Sequence, residues 1–132
     1  MAKIETVRAV LYDTHNNVLL GQRPFGAKQR AGELDLFGGK VDAGESLTEA
    51  AYRETREELG FELGEMALRP LYVTRDEDAG NTYVRHYFEV KVDTFPRERL
   101  REHIGSVLMP LVIAVSSMQF EPHREALSRL LG

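Results

Sequence analysis

Residues 39–61 read Gly39-Lys40-Val41-Asp42-Ala43-Gly44-Glu45-Ser46-Leu47-Thr48-Glu49-Ala50-Ala51-Tyr52-Arg53-Glu54-Thr55-Arg56-Glu57-Glu58-Leu59-Gly60-Phe61. Good helix formers run from Leu47 to Leu59. Ser46 and Glu49 have capping-box spacing, a hydroxyl for one free backbone N–H and a carboxylate reaching back to another. Gly60 is well placed as the residue that ends the helix in a left-handed conformation. The spacing predicts a helix over Ser46–Gly60.

At 100° per residue, with Glu54 set to 0°, Glu57 falls at about −60° and Glu58 at about +40°. Three carboxylates thus share one face of two successive turns. Tyr52, Thr55 and Leu59 lie between about 100° and 160° and form the arc expected to pack on a sheet. Ala50, one turn before the carboxylates, is expected to leave room above them. Like charges at this spacing repel by a few tenths of a kcal/mol on an open helix. A divalent cation reverses that sign, because Mg²⁺ takes hard oxygen ligands and keeps some water. Such a site polarises a phosphoryl oxygen and activates water, with a nearby carboxylate as general base. A solvated face laced with ion pairs, here Glu49–Arg53 and Arg53–Glu57, is the commoner use of a Glu- and Arg-rich helix. Helix geometry alone leaves both readings open.

The residues around the helix reverse that order. Gly39, Glu45, Arg53, Glu54, Glu57, Glu58 and Gly60 stand in the register of the Nudix box, so the chain resembles the Nudix hydrolase family, in particular its MutT-like branch. Thr55 departs from the apolar residue usual at its position, although its methyl group can still pack. Phe37 replaces the proline that often precedes the double glycine.

The resemblance implies an α+β fold, an α/β/α sandwich around a mixed sheet, with the box forming a loop–helix–loop. Glu54, Glu57 and Glu58 would bind the divalent metal, Mg²⁺ with Mn²⁺ able to replace it, and the backbone carbonyl of Gly38 is a further candidate ligand. Glu54, Glu57 or a carboxylate from a later loop would be the general base, Glu54 being named first. Arg53 and Glu45 would orient the loops and helix, and Gly39, Gly44 and Gly60 would serve tight backbone conformations. Arg23 occupies a place where a basic residue often contacts phosphates in this family.

Elsewhere, Val7–Tyr12 and Val18–Gln22 flank the turn cluster Asp13–Asn17 and read as a hairpin. Leu34–Phe37 reads as a short strand ending at Gly38-Gly39. Leu68–Arg75 and Thr82–Val92 are β-like, with a turn expected over Asp76–Asn81. Pro110–Met118 is apolar and ambiguous between helix and strand. Pro122–Leu130 reads as a terminal helix. Glu89, Asp93, Glu98 and Glu102 are the later acidic candidates, and Glu98 is taken into the substrate site with Arg23 and Phe37. Phe25, Phe37 and Tyr83 could stack on a base, although core packing is the commoner role. His15, His86, His103 and His123 lack metal-ligand spacing and are read as structural or surface residues, with His123 a possible anchor of the terminal helix.

The chain has 132 residues, a net charge of −4 and no cysteine. Length fits one domain over 1–132 that needs no staple, and the absent thiols exclude disulfides and thiolate metal sites. No apolar run reaches the ~18 residues of a membrane span, and the N-terminus lacks a signal-like stretch, so a cytoplasmic protein is expected. The acidic balance speaks against a stable nucleic-acid complex. The expected partner is a nucleotide-type small molecule, and the expected state a monomer or a homodimer. The reading is cleavage of a pyrophosphate linkage, first in a nucleoside triphosphate, normal or oxidised, and second in an ADP-sugar or dinucleoside polyphosphate. A non-catalytic nucleotide-sensing module is the alternative of another class, disfavoured because the box carboxylates are all present.

Overall fold

A computed structural model of the protein describes residues 2–59, 68–93, 95 and 106–131. Its central sheet is built on β1 (Lys3–Tyr12), whose Ala9–Leu11 stretch is apolar and buried toward both faces, as a strand covered on both sides must be. β1 runs parallel to β6 (Asn81–Lys91) over its whole length, from Lys3↔Thr82 to Tyr12↔Lys91. Its other edge is shared. β2 (Asn17–Gln22) pairs only at Leu11↔Leu19 and Tyr12↔Val18, and β4 (Phe37–Lys40) takes over at Thr6–Ala9. The two-residue β3 (Leu34–Asp35) and β7 (Ser106–Pro110) flank β2, while β5 (Arg69–Asp78) borders β6 at the other edge. Parallel and antiparallel ladders mix, as expected from the resemblance.

Helix α1 (Leu47–Leu59) packs on one face through Ala50, Ala51, Thr55 and Leu59, against Val7, Ala9, Leu11 and Phe88 of the sheet. Helices α2 (Leu111–Ser117) and α3 (Glu121–Ser128), the latter continued by a 3₁₀ turn over Arg129–Leu131, cover the other face. Their Leu111, Ala114, Ala126 and Leu127 meet Val10, Val18, Leu20 and Tyr87. This is the helix–sheet–helix sandwich, and burying both faces of one sheet is what stabilises it.

Several elements differ from expectation. The Leu34–Phe37 strand is two strands, and the second continues through Gly38-Gly39 to Lys40, because β1 supplies a partner there. The acidic run Asp76–Asp78 stays in β5, and only Ala79 and Gly80 make the turn. An edge strand tolerates, and is protected by, such charges. The ambiguous Pro110–Met118 segment is a helix, and the strand before it, Ser106–Pro110, had no sequence signal of its own. Ala50 is fully buried against the sheet and leaves no open space above the carboxylates. Gly60, Glu98, Glu102 and His103 lie outside the described residues.

Candidate active site

The capping box forms as spaced. The Ser46 hydroxyl accepts from the Glu49 N–H at 3.0 Å, and the Glu49 carboxylate accepts from the Ser46 N–H at 3.1 Å. This fixes where α1 begins and therefore which residues meet the glycines of β4. At Gly38, φ is +148°, and a Cβ would fall 1.9 Å from the Val7 carbonyl oxygen, so no side chain fits between β4 and β1. At Gly39 a Cβ would fall 2.7 Å from the Glu54 carboxyl carbon. The Glu54 carboxylate occupies the space a side chain would take.

Glu58 reaches the same strand, accepting from the Gly38 N–H at 2.7 Å. Burial pushes its carboxyl up to about 7, against the pull of that N–H and of Arg8, with Glu54 and Asp35 adding repulsion. Arg53 gathers the rest. Its Nε and Nη2 donate to the two Glu45 oxygens at 2.7 and 3.0 Å, and Nη2 also donates to the Lys40 carbonyl at 3.1 Å. Its Nη1 donates to Glu54 at 3.0 Å and, more loosely, to Glu57 at 3.5 Å. The bidentate Arg53 pair is the main reason the Glu45 carboxyl is held down at about 2, and Arg53 itself is raised. The expected Glu49–Arg53 pair is absent among the described residues, because Glu49 turns back to cap the helix and Arg53 turns to Glu45.

The structure therefore brings Gly38, Gly39, Glu45, Arg53, Glu54 and Glu58 together, with Glu57 at the more exposed rim. Each carboxylate faces a protein donor, and among the described residues no three ligand-type side chains converge on one point. The donor set nevertheless fits a hard divalent cation. Glu54 and Glu58 lie against the same two glycines, and Glu58 is a buried carboxyl beside another carboxylate, a place where added positive charge is favoured. Mg²⁺ draws few ligands from protein and the remainder from water and substrate phosphates.

The other sequence candidates separate. Phe37 is buried between β1 and α1, packed with Leu11, Leu19 and Leu59, and is a core residue rather than a ligand contact, because its strand position faces α1. Phe25 is 82% exposed, so the expected core role fails there. Arg23 lies on the α3 side of the sheet, where its Nη1 is 3.3 Å from Asp35 and its Nε donates to the Gln29 carbonyl. Asp35 is the centre of a network the sequence did not reveal. His123 Nε2 lies 2.9 Å from its Oδ1, His123 Nδ1 lies 2.7 Å from the Tyr87 hydroxyl, and Arg8 Nη1 approaches to 3.5 Å. These donors hold Asp35 well below the usual carboxylate range despite its burial. Burial is also the main reason the His123 imidazole is lowered to about 4. The only signal was a carboxylate between Leu34 and Leu36 in a strand too short to show alternation. His86 pairs instead with Glu5 at 2.8 Å, and Glu89 with Tyr12 and Arg69.

A family model described as NUDIX domain matches residues 2–130. The chain is 31% identical over 131 residues to the CTP pyrophosphohydrolase of Escherichia coli K12, covering 90% of this chain and 96% of that protein. It is 33% identical over 66 residues to the 8-oxo-dGTP diphosphatase of Proteus vulgaris, covering 50% and 58% of the two chains. The solution structure of the E. coli ORF135 protein superposes with a TM-score of 0.75 at 27% identity, covering 99% and 90%.

Proposed function

The chain belongs to the Nudix family of pyrophosphohydrolases, and we propose that it hydrolyses a nucleoside triphosphate, normal or oxidised, at a phosphoanhydride bond with Mg²⁺ as the metal. The observation that carries this is the seating of the Glu54 carboxylate in the side-chain space of Gly39, beside Glu58 on the Gly38 N–H. The similarity to a CTP pyrophosphohydrolase along nearly the full length supports a triphosphate over an ADP-sugar or a dinucleoside polyphosphate.

Glu54, Glu57, Glu58 and the Gly38 carbonyl would hold the ion, turning from their present protein donors to do so. When bound, the ion neutralises phosphoryl charge and acidifies water. Glu54 takes the proton of the attacking water, the task of a general base. Arg53, clamped by Glu45, fixes the rotamers of Glu54 and Glu57 from behind. Such outer contacts set the aim of metal-binding carboxylates. The whole chain then acts as one catalytic domain.

The test is phosphate and pyrophosphate release with Mg²⁺ across CTP, dGTP, 8-oxo-dGTP, ADP-ribose and a dinucleoside polyphosphate, with Glu57→Gln in parallel. The variant should lose roughly 10²-fold or more, the scale of a catalytic carboxylate, and chelation should stop the reaction. If no substrate is turned over faster by the wild type than by Glu57→Gln, the assignment is wrong.

A further inference from the structure

The buried Tyr87–His123–Asp35 chain ends at two guanidiniums, and its chemistry fixes the direction of every hydrogen bond. Asp35 is ionised and only accepts, so His123 Nε2 carries the proton and donates. Nδ1 is then an acceptor, and the Tyr87 hydroxyl donates to it. The imidazole and the phenol are both 1% exposed. Besides His123, Asp35 accepts from the Leu36 N–H at 2.9 Å. Its carboxylate is thus held by the neighbouring Leu36 N–H and by His123 of α3, which Tyr87 of β6 braces in turn.

What the carboxylate holds is Arg8 on one oxygen, at 3.5 Å, and Arg23 on the other, at 3.3 Å. These are long contacts for ion pairs, and they leave donors over. Arg8 spends Nη1 on the Leu36 carbonyl at 2.8 Å, and Arg23 spends Nε on Gln29. Among the described residues nothing engages Nη2 of either, and both side chains keep some solvent access, 15% and 25%. Arg30 adds a third guanidinium close enough to be disfavoured by both, and its Nη1 is buried without a partner. Three guanidiniums thus gather around Asp35, in a protein whose net charge is −4, with Glu58 also within electrostatic reach of Arg8. Glu33 lies near enough to offset part of their charge. In the sheet Arg8 pairs with Gly38, the residue whose N–H holds Glu58.

We propose that Arg8 joins Arg23, whose place the family resemblance already gives to phosphate contact, as a second guanidinium for phosphoryl oxygens of the substrate, and that Asp35, locked by His123 and Tyr87, is the positioning residue that aims it. The proposal rests on the pyrophosphohydrolase reading for its substrate. The free guanidinium edges are the donors that suit phosphate forks. Arg8 stands across the ladder from Gly38 and within electrostatic reach of Glu58, so it links the box carboxylates to Arg23 on the α3 side, and one substrate can span both. His123 and Tyr87 touch no substrate. They act through Asp35.

The probe is inorganic pyrophosphate, titrated calorimetrically with EDTA present so that metal plays no part, followed by KM and kcat on the best nucleotide of the panel. Arg8→Gln should weaken pyrophosphate binding about tenfold or more, the scale of a charge-assisted contact, with the kinetic loss falling on KM more than on kcat. Arg8→Lys keeps charge without the fork and should recover only part. His123→Leu should weaken binding in the same direction, and His123→Gln, which keeps a donor toward Asp35, should restore most of it at equal thermal stability. Unchanged pyrophosphate affinity in both folded Arg8 variants overturns the Arg8 contact. Equal losses for His123→Leu and His123→Gln overturn the positioning role. If no nucleotide is hydrolysed but pyrophosphate binding still depends on Arg8, the Arg8 contact stands and the hydrolase reading falls.

Discussion

At the scale of single residues, the two glycines of β4 make separable predictions. A methyl group at Gly38 meets the Val7 carbonyl at 1.9 Å, a backbone atom that moves only if β4 leaves β1. A methyl group at Gly39 meets the end of a flexible side chain, the Glu54 carboxylate, at 2.7 Å. Gly38→Ala should therefore cost several kcal/mol, roughly 3 or more as steric strain at a fixed backbone does, and express poorly. Gly39→Ala should fold, with a midpoint within a few degrees of wild type, yet lose about tenfold or more in kcat because Glu54 is displaced by a fraction of an ångström from its aim. Thermal melts beside steady-state rates separate the two, and a fully active Gly39→Ala would show that the observed seat of Glu54 is irrelevant to turnover.

At the scale of elements, α1 depends on its first turn. Ser46 and Glu49 satisfy one another's N–H groups reciprocally, so Ser46→Ala strips a capping acceptor and should cost about 1 kcal/mol in urea unfolding. No change in the midpoint would mean the helix is held by its packing alone. This helix was legible in the sequence because everything that specifies it is local: caps, formers and a face of Thr55 and Leu59 that packs as its period requires. The Arg53–Glu45 pair was legible only by resemblance, since nothing in helix periodicity reaches back across the loop. The β5–β6 turn was misplaced because Asp76–Asp78 has turn composition but sits on an edge strand, where charge is accepted and the true reversal needs only Ala79 and Gly80. Phe37 was assigned two roles because a strand of four residues gives no alternation long enough to say which face it takes. The Asp35 network was invisible for a stronger reason: its members come from β1, β3, β6, α3 and the residue that follows β2, and only the sheet order brings them together.

At the scale of the whole molecule, the same network ties α3 to the sheet and should leave a mark on acid stability. His123 is lowered to about 4 by burial, from an ordinary value of 6.5. Between those values the unfolded chain takes up a proton that the folded chain refuses, so the stability His123 supplies is whole above pH 6.5 and is lost as pH falls toward 4. Asp35, held well below its usual range, stays ionised throughout this window and keeps the relay intact. Glu58 works the other way: raised to about 7, it holds a proton in the folded chain that the unfolded one releases, so falling pH favours the folded state between 7 and 4.5. The wild-type curve alone would blend the two. The difference between wild type and His123→Gln removes Glu58, which is common to both, and leaves the imidazole. Urea unfolding of the pair from pH 7 to pH 4 should show the wild type losing up to about 3 kcal/mol relative to the variant, as an imidazole lowered from 6.5 to about 4 implies. A gap that stays constant across that range would mean that His123 titrates alike in the folded and unfolded chains, and a buried neutral imidazole could not then be what holds Asp35 beneath the two arginines.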